Sequence, residues 1–192
     1  MGKKFFIADL HIGHANVIEL DKRPFGSVEE MDNEIRRRWN SVVGEDDDVY
    51  VLGDFHWGTA QDAMEYANTL NGRIHIIFGN HDPNGFPRKN KKIVSQDHFK
   101  ILKFDGRKVH LSHYPIPWWG GHRQESQVFL YGHVHNTPEY QTVLDVERLM
   151  KERHESRGRS YNVGACMPWI DYTPRTLEEI ENNFTQQKEF DF

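Results

Sequence analysis

The chain has 192 residues, of which 37% are hydrophobic and 28% charged. That balance suits one folded domain and excludes wholesale disorder. Twenty-four basic against 29 acidic residues leave a formal charge of −5, so no basic excess points to duplex nucleic acid, although bound metal ions would add charge outside that sum.

Residues 3–8 (KKFFIA) read as a buried strand ending at Asp9. Ser27 with Glu30 forms a capping-box signature, after which Met31, Ile35 and Trp39 recur at helical spacing up to Gly44. Residues 49–52 form a second strand ending at Gly53-Asp54, and Thr59 caps a helix closed by Asn71-Gly72. Residues 73–78 form a third strand running into Gly79-Asn80-His81-Asp82. The β-α-β-α-β order is that of a layered α/β domain, whose sites lie at the C-terminal strand ends. The second half reads as more antiparallel. Residues 98–104 and 107–112 flank the hairpin signal Asp105-Gly106, and the second strand runs into Ser112-His113. A Pro-, Gly- and Trp-rich loop covers 114–126, and strand 127–131 ends at GHVH (132–135). A polar helix over 143–155, a helical excursion around 143–158, a strand near 160–164 and a helix near 176–184 with a frayed tail complete a single domain, 1–192.

One cysteine, Cys166, allows no internal disulfide and fits a reducing, cytoplasmic location. No apolar run approaches a membrane span, and MGKKFFIADL does not read as a secretory signal. The informative count is 12 histidines. Successive strand ends present Asp9 and His11, Asp54, Asn80 with His81 and Asp82, His113, and His133 with His135. Each alone is ordinary: an aspartate after a strand is usually a turn residue, and Gly-Asn is usually turn chemistry. Together they form a set of oxygen and imidazole donors without thiolate, suited to Mn²⁺, Fe, Zn²⁺ or Ni²⁺ better than to a structural zinc site.

The ordered motifs DLH (9–11), GDF (53–55), GNHD (79–82), SHYP (112–115) and GHVH (132–135) resemble the calcineurin-like metallophosphoesterase superfamily. RPFGSVEEMD (23–32), NVG (162–164) and YTPRTLEEI (172–180) resemble its small, single-domain phage and bacterial members. The resemblance implies a four-layer α/β/β/α sandwich with two divalent ions. One ion would be held by Asp9, His11, Asp54 and His135. The other would be held by Asp54, Asn80, His113 and His133, so that Asp54 bridges. His81 would be the catalytic histidine. GDFHWG (53–58) lacks the Asp-Arg pair of the protein phosphatases and so argues against that role; Asp82 is then the candidate to orient His81. Many close relatives carry an acidic residue near Cys166.

The expected reaction is in-line attack by a metal-bridging hydroxide on a small phosphodiester or phosphomonoester, with a diester favoured and a nucleotide or cyclic nucleotide as a candidate. His81 would protonate the leaving oxygen. Trp118, Trp119, Arg123 and His56 are candidate substrate contacts, with loop packing the alternative for the two tryptophans, and His14, Trp57 and His122 lie in loops near the same motifs. Competing readings are a nuclease on single-stranded or short nucleic acid and a non-catalytic metal-binding scaffold. The intact donor set argues against the scaffold.

Overall fold

Two four-stranded sheets organise the chain in the computed structural model, which describes residues 2–87 and 91–190. The first sheet takes β1 (Lys4–Ile7), β2 (Asp48–Val51), β3 (Arg73–Ile77) and β4 (Ile93–Asp97) in that order, all parallel. Parallel neighbours need crossovers. Helices α1 (Ala15–Leu20) and α2 (Val28–Val42) link β1 to β2, and α3 (Ala60–Ala67) links β2 to β3. The cap of α2 is Ser27, whose Oγ accepts from the Glu30 amide at 3.2 Å. Met31, Ile35 and Trp39 form its buried stripe, and the Trp39 indole donates to the Asn71 carbonyl at 3.0 Å. Thr59 and Asp62 complete a reciprocal capping box on α3. That helix stops short of Asn71, which instead donates to the Val43 carbonyl at 3.0 Å and so ties the turn to the end of α2.

The second sheet has the order β5 (Phe99–Phe104), β6 (Arg107–Ser112), β7 (Gln127–Tyr131), β8 (Arg159–Asn162). Only β5 and β6 pair antiparallel, around the left-handed pair Asp105 (φ 51°) and Gly106 (φ 71°). The β6–β7 and β7–β8 pairs are parallel, which corrects the antiparallel expectation for this half. The reason is in the connections: loop 113–126 and helix α4 (Pro138–Glu152) are long enough to return the chain to the same edge. Thr137 caps α4 and Pro138 opens it, so the helix starts earlier than its polar stretch indicates and packs through Tyr140 and Met150. Helix α5 (Leu177–Phe190) follows.

Both sheets contribute to one hydrophobic cluster. Phe6 of β1 stacks on Tyr50 of β2 (5.6 Å) and on Phe104 of β5 (6.2 Å), which joins the sheets. The segment after β8 completes the junction: the Ala8 amide donates to Val163 O and the Ala165 amide to Ala8 O, both at 2.8 Å. The C-terminal ends of β1, β2, β3, β6 and β7 therefore converge, and the polar residues that follow them meet. The mixed α/β architecture with two parallel-rich sheets agrees with the expected sandwich. Among the described residues no helix is long and apolar enough to cross a membrane.

Candidate metal centre

Tight turns carry the donors from the strand ends. Asp9 (φ 54°), His11 (φ 53°), Asp54 (φ 52°), His133 (φ 71°) and His135 (φ 45°) all adopt the left-handed conformation that L-residues avoid. Each such residue costs about 1–3 kcal/mol and persists only where its surroundings enforce it. Backbone bonds do so here: the Asp9 amide donates to Gly53 O at 3.0 Å and the His11 amide to Asp54 O at 2.9 Å. The approach is close enough to require glycine twice. A Cβ on Gly53 would lie 2.2 Å from His113 Nδ1, and one on Gly79 would lie 2.2 Å from Asp54 Oδ1.

Two donor triads result, Asp9–His11–His135 and Asp9–Asp54–His113, with the donor atoms of each within 4.8 Å of one another. Asp54 Oδ2 lies 3.7 Å from His11 Nε2 and 3.6 Å from His113 Nε2, between the two sets. Asn80 Oδ1 is 3.0 Å from His113 Nε2. The His133 ring centroid is 5.0 Å from that of His113, and the His133 amide donates to Asp9 Oδ2 at 3.0 Å. The donors expected at the strand ends thus gather in one place.

The local electrostatics favour a cation. Asp9 and Asp54 are both buried, and desolvation lifts the Asp9 carboxyl above the ordinary range. Burial, reinforced by His135, holds His11 down at about 2, so its ring is neutral and ready to donate a lone pair. His11 Nε2 faces His135 Nε2 at 3.3 Å, a contact that needs a proton or a metal ion beside it, and His11 Nδ1 is a buried nitrogen without a partner. His113 Nδ1 donates to Leu52 O at 2.9 Å, which turns its bare Nε2 toward Asn80 and Asp54. The donor chemistry fits divalent ions.

Residues 5–177 match the calcineurin-like phosphoesterase superfamily domain. The chain belongs to that superfamily. Calcineurin-like phosphoesterases typically bind divalent metals and act on phosphate esters, as the donor set suggests. The chain is 38% identical over 117 residues to an uncharacterized protein of Methanocaldococcus jannaschii, covering 60% of each chain. It is 38% identical over 98 residues to the Gene 66 protein of Mycobacterium phage L5, covering 49% of this chain and 47% of that one. It is 30% identical over 164 residues to the Gene 66 protein of Mycobacterium phage D29, covering 71% and 80%. The matched segments therefore span less than two thirds of the archaeal and L5 proteins. A protein of unknown function from Aquifex aeolicus shares the fold, with TM-score 0.71, 24% identity and coverage of 95% and 99%.

Around the donors, several expected residues stand elsewhere. Asp82 does not orient His81. Its carboxylate accepts from the amides of Asp54 (2.9 Å), Phe55 (2.8 Å) and Gly79 (2.8 Å), stapling the β2 and β3 turns together. His56 is buried with its ring packed among Gly13, Gly58 and Tyr66. The neighbouring Trp57, 45% exposed, lies 4.9 Å from His81 and 4.0 Å from His14 instead. Trp119 is a packing residue, stacked 5.6 Å from Phe129 on β7. Trp118 and Arg123 are exposed. From that loop it is Tyr114 that stands at the cluster, 4.7 Å from His133. Cys166 lies with Asp21 and His135, and burial pushes its thiol up to about 12, so it stays protonated. Trp57 is among the loop residues that the sequence places near the motifs, whereas Tyr114, Asp21 and Arg23 are not candidates from the sequence.

Proposed function

We propose that this protein hydrolyses a small phosphate ester, a diester in preference to a monoester, using two divalent ions with Mn²⁺ favoured. The observation that carries the reading is the position of Asp54 Oδ2, 3.7 Å from His11 Nε2 and 3.6 Å from His113 Nε2. Asp9, His11, Asp54 and His135 would hold one ion; Asp54, Asn80, His113 and His133 would hold the other. Bound there, the ions supply Lewis acidity, charge neutralisation and activation of water. The chain's own residues do the rest. His81 is exposed beside His11, so it can hold a proton at a ring nitrogen and pass it to the leaving alkoxide. Trp57 and Tyr114 are exposed beside His81 and His133, and their faces suit a base or aryl group on the ester. That favours a nucleotide diester.

The shared hydrophobic cluster supports one domain over 1–192. A reducing cytoplasm, bacterial or phage-infected, fits the lone Cys166 and the phage relatives. The test is hydrolysis by Mn²⁺-loaded protein of aryl phosphomonoesters, aryl phosphodiesters, cyclic and linear nucleotides, and single-stranded oligonucleotides. Faster turnover of diesters supports the reading. Turnover of oligonucleotides alone would make the protein a nuclease, and no turnover of any of them would sink catalysis.

A further inference from the structure

Arg23 lies inside the protein, its side chain 0% exposed, and it pairs with the carboxylate of Asp21. Its Nε and Nη2 donate to Asp21 Oδ2 at 3.0 and 2.9 Å. The other end of the same guanidinium donates from Nη1 to Leu10 O at 2.8 Å and from Nη2 to Asp9 O at 2.9 Å. Those carbonyls belong to the left-handed Asp9–His11 turn. On its far side, Asp21 accepts from His135 Nδ1 at 2.8 Å. One ion pair thus connects two segments of chain that lie far apart in sequence and that both feed the Asp9–His11–His135 triad.

We propose that Asp21 and Arg23 are positioning residues that assemble this one metal site. Arg23 fixes the turn that presents Asp9 and His11, and Asp21 fixes His135 with its proton on Nδ1 and its bare Nε2 toward the site. The chemistry requires these residue types. The guanidinium makes four N–H···O bonds here, two to the carboxylate and one to each carbonyl, whereas a lysine ammonium has three donors and no planar fork. A carboxylate on the outer nitrogen of a ligating histidine sets its tautomer and raises its basicity. Burying the pair together leaves no net charge beneath the site, whereas either residue alone would be a buried unpaired ion. The other proposed donor set, Asp54, Asn80, His113 and His133, does not include Asp9 and has a separate support: His113 Nδ1 is held by the Leu52 carbonyl. The effect of Asp21 and Arg23 is therefore specific to one of two sites.

This inference rests on the proposed role of His135 as a ligand. The test measures stepwise Zn²⁺ affinities by chelator competition in the wild type, Asp21→Ala, the isosteric Asp21→Asn and Arg23→Lys. It is paired with the imidazole Nδ1–H resonance of His135 in ¹⁵N-labelled protein, with and without Zn²⁺. In Asp21→Ala one of the two affinities is expected to fall about 10–100-fold while the other holds, and the protected Nδ1–H signal disappears. Arg23→Lys is expected to weaken the same site although it keeps the charge. If Asp21→Ala does not fold, Asp21→Asn decides by the same selective loss. Both affinities falling together, or neither falling, would overturn the proposal. A wild type that binds no Zn²⁺ would defeat the ligand reading of His135 instead, and the Nδ1–H signal of the metal-free protein would still decide whether Asp21 holds the ring.

Discussion

Asp54 sits where the two donor triads come closest, and its Gly53 neighbour could not carry a side chain without striking His113. Changing residues behind a metal ligand costs about 10–100-fold in affinity or activity; removing a donor proposed to serve both ions should cost more. Asp54→Ala is therefore expected to lose both ions, read by elemental analysis of the purified protein, whereas retention of two equivalents would remove Asp54 from the centre. His81→Ala is expected to behave differently: kcat should fall by about 10²–10⁴, the usual contribution of general acid–base catalysis, with metal content unchanged. His11 gives a pH signature. Its folded-state value, about 2, lies below the ordinary 6.5, so the fold keeps the ring neutral while the unfolded chain protonates it. The stability it contributes is complete above about 6.5 and is lost as pH falls below that value. Linkage puts the loss at no more than about 1.4 kcal/mol by pH 5.5. His135 runs the other way: burial opposes its charge, but the Asp21 bond and the Asp9 charge win and raise it. The His11 share is thus read as the difference between wild-type and His11→Asn chelator-treated protein in urea titrations at pH 7.5 and 5.5. Equal pH dependence in the two proteins would refute it. The donors themselves were legible because each directly follows an apolar strand. Asp21 and Arg23 were not, because Asp21-Lys22-Arg23 reads as a charged loop and His135 lies 114 positions away.

At the scale of elements, the turns are as demanding as the side chains. Gly79→Ala would put a Cβ 2.2 Å from Asp54 Oδ1 and 2.6 Å from the Asp54 amide. The expected outcome is a folded protein by circular dichroism that has lost metal binding; undisturbed binding would mean the turns can relax. Trp39, fully buried in α2, anchors that helix to the turn after α3, so Trp39→Ala should cost about 3–5 kcal/mol in a denaturation experiment. Most elements could be read from sequence because caps and apolar runs agree, as at Thr59 with Asp62 and in VYVL. Two could not. Helix α1 is six residues long and buries only Val17, too little for a periodic signal. Strand β4 is an edge strand, IVSQD, whose polar half faces no core. Strand direction in the second sheet was misjudged because Asp105-Gly106 specifies one hairpin and says nothing of how β7 and β8 return.

At the scale of the molecule, joining two parallel-rich sheets at Phe6–Phe104 and Ala8–Val163 brings Asp9 within hydrogen-bonding distance of His133, 124 residues along the chain. The donors come from segments far apart in the chain, so a metal ion bound there would stabilise the whole fold. A ligand at 100 times its dissociation constant adds about 2.7 kcal/mol per site. Removing metal with a chelator should accordingly lower the melting temperature, and adding it back should restore the value. The central claim, that one shared centre of two ions is the working site, is tested most directly by titrating metal-free protein with Mn²⁺ while following hydrolysis of an aryl phosphodiester. The account predicts negligible rate before the first equivalent, with activity rising to a plateau at two equivalents per chain. Full activity at one equivalent, or none at saturation, would contradict it.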